Sequence, residues 1–326
     1  MFHRHGGRLG DATVACATAP LPWVDLSTGI NPPGWLGPRA DAASLRRLPD
    51  PAETAALEAA AANAFSVSDP ARVTAVPGVE AGLRLLPRLT GARSVTILSP
   101  TYGGHAEAWE AAGSEVHTVR WGERLPDTEA LVIVNPNNPD GRTIPAEALA
   151  QLATGDRWLI VDESFVEVAP DLSVAASAAD RLVVLRSFGK FYGLPGVRLG
   201  FVVADPKVTT RVRAAFGDWP VCAEAIAAGC AAYADRDWAD QTRARLKDEA
   251  ARLDSLLSRA GFELEGGTSL FRLASSPNAA AWFTRLAEAG VLVRPFSEYP
   301  TWLRFGLSGA EQDWARLQGA LEGNIP

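Results

Sequence analysis

The chain has 326 residues, 47% of them hydrophobic, and a formal net charge of -7 at pH 7, which is enough apolar material for one large domain with a smaller one beside it. The acidic balance and the lack of any block of consecutive basic residues exclude a broad electrostatic footprint for nucleic acid. Three cysteines without CxxC spacing indicate neither a disulfide framework nor a zinc site and fit a reducing cytoplasm, and the histidines share no metal-ligand spacing.

Met1 to Gly7 lacks the apolar stretch of a secretory signal, and no later window approaches the roughly 18 continuous apolar residues of a membrane span, so neither export nor anchoring is expected. Residues 1–50 are rich in Gly, Pro and Trp without periodicity, which predicts an extended N-terminal arm that forms part of a small domain and can cross to a partner subunit. Asp50-Pro51, with Glu53 in the first turn, then opens an Ala-rich helix to Phe65. Between Val73 and Val203, β-branched runs at 95–98, 115–119, 131–134, 158–161, 182–185 and 199–203 alternate with helical or loop segments. This is the pattern of an α/β fold with a mostly parallel central sheet flanked by helices. Residues 51–215 are therefore assigned to a large domain. Residues 216–326, helical over 224–233 and 238–259 and then mixed, read as connecting helices and a small α+β domain.

Only Lys190, Lys207 and Lys247 break a strong arginine bias. Lys190 follows an apolar run and sits between glycines and aromatics, in Ser187-Phe188-Gly189-Lys190-Phe191-Tyr192-Gly193. Partial desolvation there would lower its pKa toward the neutral amine that attacks carbonyls. The plainer alternative is a Gly-rich surface turn with a solvated lysine. A phosphate-binding P-loop is excluded, because Phe191 stands where Ser or Thr is required.

From Ser187 to Gly200 the chain resembles the SxxKxxGxxGxRxG signature of fold-type I pyridoxal-phosphate (PLP) enzymes of the aminotransferase class I/II type. The resemblance implies PLP as cofactor, joined to Lys190 as a Schiff base, and a homodimer with active sites at the subunit interface. It places Ser187 and Arg198 on the cofactor phosphate, for which a hydroxyl and a fork-shaped guanidinium are apt. Asp162, at the end of an apolar run, falls where an aspartate pairs with the protonated pyridine nitrogen and keeps the ring an electron sink. Asn138, in a turn similar to the family's NPNNPTG, falls on the partner of the phenolic oxygen and borders the substrate. Gly78, Val79 and Glu80 open a helix whose backbone N–H groups suit the phosphate, and Tyr102 takes the position that stacks on the ring. Taken singly, the Asn-Pro turn is ordinary turn chemistry, the glycine and glutamate an ordinary cap, and Asp162 a strand-end acid.

Arg304 lies in the apolar strand Trp302-Leu303-Arg304-Phe305-Gly306, where a charge wants an anionic partner; by the resemblance it grips the substrate α-carboxylate. Arg294 is similar in setting and reads equally as a substrate contact or a structural ion pair. Three positions depart from the family's pattern. Gly189 replaces a Ser or Thr and Leu48 a tyrosine, each a phosphate donor, and Phe165 replaces a tyrosine that donates to the phenolic oxygen.

His5-Gly6-Gly7 and Asp25-Leu26-Ser27-Thr28-Gly29-Ile30-Asn31-Pro32 look like the opening of one branch, the L-threonine-O-3-phosphate decarboxylases of cobalamin biosynthesis. That branch implies a phosphorylated amino acid as substrate and (R)-1-amino-2-propanol O-2-phosphate as product, with His5, Gly6, Gly7 and Asn31 as candidates for the substrate phosphate. Histidinol-phosphate aminotransferase is the alternative within the family. A non-catalytic PLP-fold sensor is the alternative of another class, and it predicts loss of the lysine or an attached DNA-binding domain.

Overall fold

The structure, a computed structural model, describes residues 6–322. They fall into two units: a terminal unit made of the chain up to Gly34, Pro139–Gly141 and the chain from Asp240 on, and a central unit made of Trp35–Asn138 and Arg142–Ala239.

The terminal unit opens with a helix over Leu9–Ala15 and the short strand β1 (Val24–Asp25). The N-terminal arm is thus less irregular than its composition suggests. Val24 and Asp25 pair in parallel with Val291 and Leu292, and Trp23 Nε1 donates to Thr13 Oγ1 at 3.0 Å. Tertiary pairing therefore overrides a local sequence that favours no regular structure.

The central unit is organised by seven strands: β2 (Val73–Val76), β3 (Ser94–Ser99), β4 (Glu115–Arg120), β5 (Ala130–Val134), β6 (Trp158–Asp162), β7 (Leu182–Ser187) and β8 (Gly200–Ala204). They lie in the order β2-β8-β7-β6-β5-β3-β4. The five strands β7, β6, β5, β3 and β4 are parallel, as the alternating pattern predicts, but β8 runs antiparallel to both of its neighbours. Parallel neighbours need a crossover and antiparallel ones do not, and the loop 188–199 returns directly into β8. Strands β2, β5 and β8 are buried along their whole length, and β6 from Leu159 on. Leu83 and Leu86 from the helix Val79–Thr90 and Trp109 from Gly104–Ala111 pack with Val95, Ile97, Val132 and Ile160 in one core.

The Ala-rich helix begins at Pro51 and ends at Ala64, with Asp50 and Glu53 forming a reciprocal capping box, worth about 1 kcal/mol. It packs closely on Ala223–Ala234: a methyl group on Gly229 would stand 2.5 Å from Leu57 Cδ1.

In the terminal unit β9 (Glu263–Thr268), β10 (Phe271–Ser275), β11 (Val291–Leu292), β12 (Arg294–Pro295) and β13 (Trp302–Gly306) follow, with helices Ala279–Glu288 and Glu311–Leu321. The antiparallel sheet has the order β12-β13-β10-β9, and β11 is the partner of β1.

Sheet register decides where the central unit's polar residues gather. Val76 and Ser187 both pair with Gly200, and Asp162 pairs with Val134 and Leu185. The carboxyl ends of β2, β5, β6 and β7 and the amino end of β8 therefore share one edge. From β3 the chain steps outward to β4 and then back past β3 to β5, so the strand order reverses at β3/β5, the kind of point where open α/β sheets bind ligands.

Candidate active site

At that edge the central unit holds a pocket of about 320 Å3, lined by Val79, Glu80, Tyr102, Asn138, Asp162, Ser187, Lys190 and Arg198, together with Ser164 and Phe165. The loops after β3 and β5 are tied together beside it. Thr101 Oγ1 donates to Asn137 Oδ1 at 2.7 Å, and Asn137 Nδ2 donates to the Pro100 carbonyl at 2.9 Å.

Asp162 ends β6 and is almost completely buried. Its Oδ2 lies 2.9 Å from His105 Nε2, and its Oδ1 accepts from Ser164 N–H at 2.9 Å and Ser164 Oγ at 2.5 Å. Burial alone would raise its pKa, but the His105 and Ser164 bonds outweigh burial and hold the carboxyl below its usual range. The pocket thus contains a buried, ionised carboxylate. His105 is itself fully buried, and its Nδ1 has no hydrogen-bond partner among the described residues. Neither His105 nor Ser164 was reached from sequence. The available signal, a histidine three residues after Tyr102 on an apolar helix face, is more commonly that of a core histidine.

Lys190 is half-buried, its Nζ 5.6 Å from the centre of the Phe165 ring. The aromatics beside it anchor the loop below. Phe188 stacks on Tyr192 at 4.7 Å, Tyr192 stacks on Trp238 at 5.6 Å, and Tyr233 meets both Phe188 and Tyr192 edge-on. Gly189 has a steric reason: a methyl group there would stand 2.9 Å from Pro195 Cα.

Around the helix start at Val79 the backbone comes unusually close to its neighbours. Gly78 has φ +83, and a methyl on it would meet Arg198 Nη2 at 2.6 Å; a methyl on Gly200 would meet the Val79 nitrogen at 2.6 Å. Arg198 adopts the left-handed conformation, φ 56, which costs on the order of 1 kcal/mol for a non-glycine residue and marks a position held by its surroundings. Glu80 keeps its carboxylate occupied, 2.7 Å from Arg84 and accepting from Tyr102 O–H at 3.1 Å, which leaves its backbone N–H as the group it can offer. Burial and then Glu80 raise the Tyr102 pKa, so the phenol stays protonated.

The remaining candidates belong to the terminal unit. There Ser27 is a hub: its Oγ accepts from Gly7 N–H at 2.7 Å and donates to Asp25 Oδ1 at 2.6 Å, and its carbonyl accepts from Arg304 Nη2 at 2.9 Å. Gly6 lies so close that a methyl would stand 2.2 Å from the Ser27 carbonyl oxygen. Asn31 is buried and accepts from Arg245 Nη2 at 2.6 Å. Arg294 is the cross-strand partner of Arg304. His5 lies outside the described residues. Among the described residues no group of three or more His, Cys, Asp or Glu could hold a metal, and no helix is long and apolar enough to cross a membrane.

The central pocket's donor set fits a planar, phosphate-bearing aromatic ring. Arg198, Ser187 and the first N–H groups of the Val79 helix would hold a phosphate. Asp162 would hold a protonated ring nitrogen, Asn138 a ring oxygen, and Lys190 supplies an amine for a carbonyl. Residues 36–321 match the model of the aminotransferase class I and II family. Two relatives bearing the name threonine-phosphate decarboxylase are similar over most of their length. That of a Sinorhizobium species is 42% identical over 97% of each chain, and that of Pseudomonas aeruginosa is 40% identical over 98% of this chain and 97% of its own. Among solved structures, histidinol-phosphate aminotransferase from Clostridium acetobutylicum superposes with a TM-score of 0.81 at 20% identity, covering 92% of this chain and 98% of its own.

Proposed function

Because the chain belongs to the aminotransferase class I and II family, we propose that it is a PLP-dependent carboxy-lyase. Its substrate is L-threonine O-3-phosphate, and its product is (R)-1-amino-2-propanol O-2-phosphate for cobalamin biosynthesis. The observation that carries the PLP reading is the pairing, in one pocket, of the amine of Lys190 with the buried, ionised Asp162. The extended similarity to relatives named for this decarboxylation supports the choice of reaction.

When bound, PLP supplies a carbonyl for amines and a ring that accepts the electron pair left behind by departing carbon dioxide. Asp162 holds the proton on the ring nitrogen, with Oδ2 steadied by His105 and Oδ1 by Ser164. Arg198 and Ser187 bind the cofactor phosphate, and Asn138 orients the ring through its oxygen. Lys190 would hold the cofactor through its Nζ, and the same amine would carry a proton at the substrate carbon. Of the terminal unit's residues, Arg304 would take the substrate carboxylate and Gly6, Gly7, Asn31 and His5 the substrate phosphate, with Arg294 a substrate contact or a structural ion pair. Fixing both anionic ends sets the angle of the bond to be broken, which decides decarboxylation over transamination.

A homodimer accounts for the exposed apolar side chains Leu36, Leu45 and Leu48 of the central unit, which a second copy would cover. A cytoplasmic location accords with free cysteines. The test is to incubate the PLP-loaded protein with threonine phosphate in the absence of any keto acid and measure carbon dioxide. Release at a steady rate is expected. Turnover of histidinol phosphate that depends on a keto-acid acceptor, without carbon dioxide release, would replace this reading with an aminotransferase.

A further inference from the structure

Asp162 and Ser187 line the pocket, and each has a charged neighbour in the chain, Glu163 and Arg186, that does not. Successive side chains of a strand point to opposite faces, and the ladder continues to this point, with Glu163 N–H donating to the Leu185 carbonyl at 2.9 Å. On the far face Arg186 Nη1 donates to Glu163 Oε2 at 3.1 Å and Ser173 Oγ at 3.0 Å, and Nη2 donates to Glu167. Glu163 also accepts from Ser173 Oγ at 2.7 Å and Val174 N–H at 2.6 Å. The guanidinium carbon sits 4.1 Å from the centre of the Phe65 ring. Arg186 and Glu163 are 2% and 0% exposed.

Removing three ionisable groups from water is a costly way to join two strands, and apolar side chains of similar volume hold such positions at least as well. The cluster is also incompletely satisfied, since Arg186 Nε and the nearby Tyr233 hydroxyl have no hydrogen-bond partner among the described residues. What a guanidinium fork between carboxylates adds is a fixed geometry. It supplies that geometry one residue after the acid that ends β6 and one residue before the hydroxyl that opens the Lys190 loop.

We propose that the Glu163, Arg186 and Glu167 cluster is a positioning device, which fixes the Asp162 carboxylate relative to Ser187 and Lys190 so that both ends of one bound cofactor are addressed together. The inference rests on the reading of the pocket as a PLP site. None of the three residues touches the cofactor, and Arg186 is a positioning residue.

The experiment compares wild type, Arg186→Lys, and the triple variant Glu163→Gln, Glu167→Gln, Arg186→Met, which removes all three charges together and leaves none of them buried alone. Three quantities are measured: the thermal midpoint of the apoprotein, the PLP dissociation constant, and the pH titration of the bound cofactor's visible absorbance. The triple variant is expected to melt close to wild type yet bind PLP about 10-fold or more weakly, the scale on which outer partners of a ligating group act, with a displaced titration midpoint. Arg186→Lys, which keeps the charge and loses the fork, is expected to fall between the two, and it carries the same expectation if the triple variant does not fold. Wild-type affinity and titration in these variants, with or without a lowered melting point, would overturn the inference and leave the PLP reading intact. Cofactor absorbance of the Lys190→Ala variant identical to that of wild type would overturn the PLP reading itself.

Discussion

Arg186 of the central unit and Arg304 of the terminal unit are both buried, and the two handle the charge in opposite ways. In the central unit burial acts against the charged form of Arg186, but Glu167 and Glu163 more than offset it and its pKa is raised. In the terminal unit burial, followed by the neighbouring Arg294, pushes Arg304 down to about 9, with only Asp25 acting in the other direction. A guanidinium neutralised by its own chain is part of the architecture. On the reading proposed above, Arg304, set opposite a second guanidinium, would take the substrate carboxylate, and that anion would raise again the pKa that burial lowers.

The largest effect should come from the central unit. Lys190→Ala is expected to abolish turnover and the borohydride-reducible link to the cofactor, both read on purified protein, and survival of either would remove this lysine from the chemistry. Next, Asp162→Asn should lower kcat by about 100-fold or more, the scale of losing one aligned charge at a reacting centre, with a smaller change in KM. In the terminal unit the order reverses. Arg304→Met should raise KM for threonine phosphate by about 100-fold, as when one partner of a buried charge pair is removed, with kcat less affected; an unchanged KM would make Arg304 purely structural.

The pH dependence sharpens the same contrast. As the proposed carboxylate ligand Arg304 would bind an anion only when protonated, and burial, then Arg294, pushes its pKa down to about 9. Substrate affinity should therefore be full below that pH and fall as pH rises through it, and initial rates across that range will show whether KM climbs. The smallest effect is expected at Gly189. Gly189→Ser should cost about 1 kcal/mol of stability by overpacking against Pro195, with no gain in PLP affinity, as calorimetry and cofactor titration can measure.

That last position shows how the chain is legible and where it is not. From sequence Gly189 reads as a lost phosphate donor; in the structure it is a residue whose side chain would have nowhere to go. Lys190, Asp162 and Asn138 could be read because residue type, spacing and a preceding strand coincide, and the structure brings all three to one pocket. His105 and Arg186 could not, because their partners lie 57 and 23 residues away and nothing local marks the pairing. The strand runs at 95–98 and 131–134 appear as Ser94–Ser99 and Ala130–Val134, yet periodicity carries no direction, so the reversal of β8 was invisible. Composition also concealed β1, whose partner strand is read only from the far end of the chain.

That pairing bears on how the protein is made. A ribosome delivers Val24 and Asp25 early and Val291 and Leu292 late, while the central unit, between Trp35 and Ala239, is already complete. Since domains tend to fold in order of synthesis, Val24 and Asp25 would meet their partner strand only after the central unit has been made. Truncation after Ala289 would therefore leave β1, near the other end of the chain, without its partner strand.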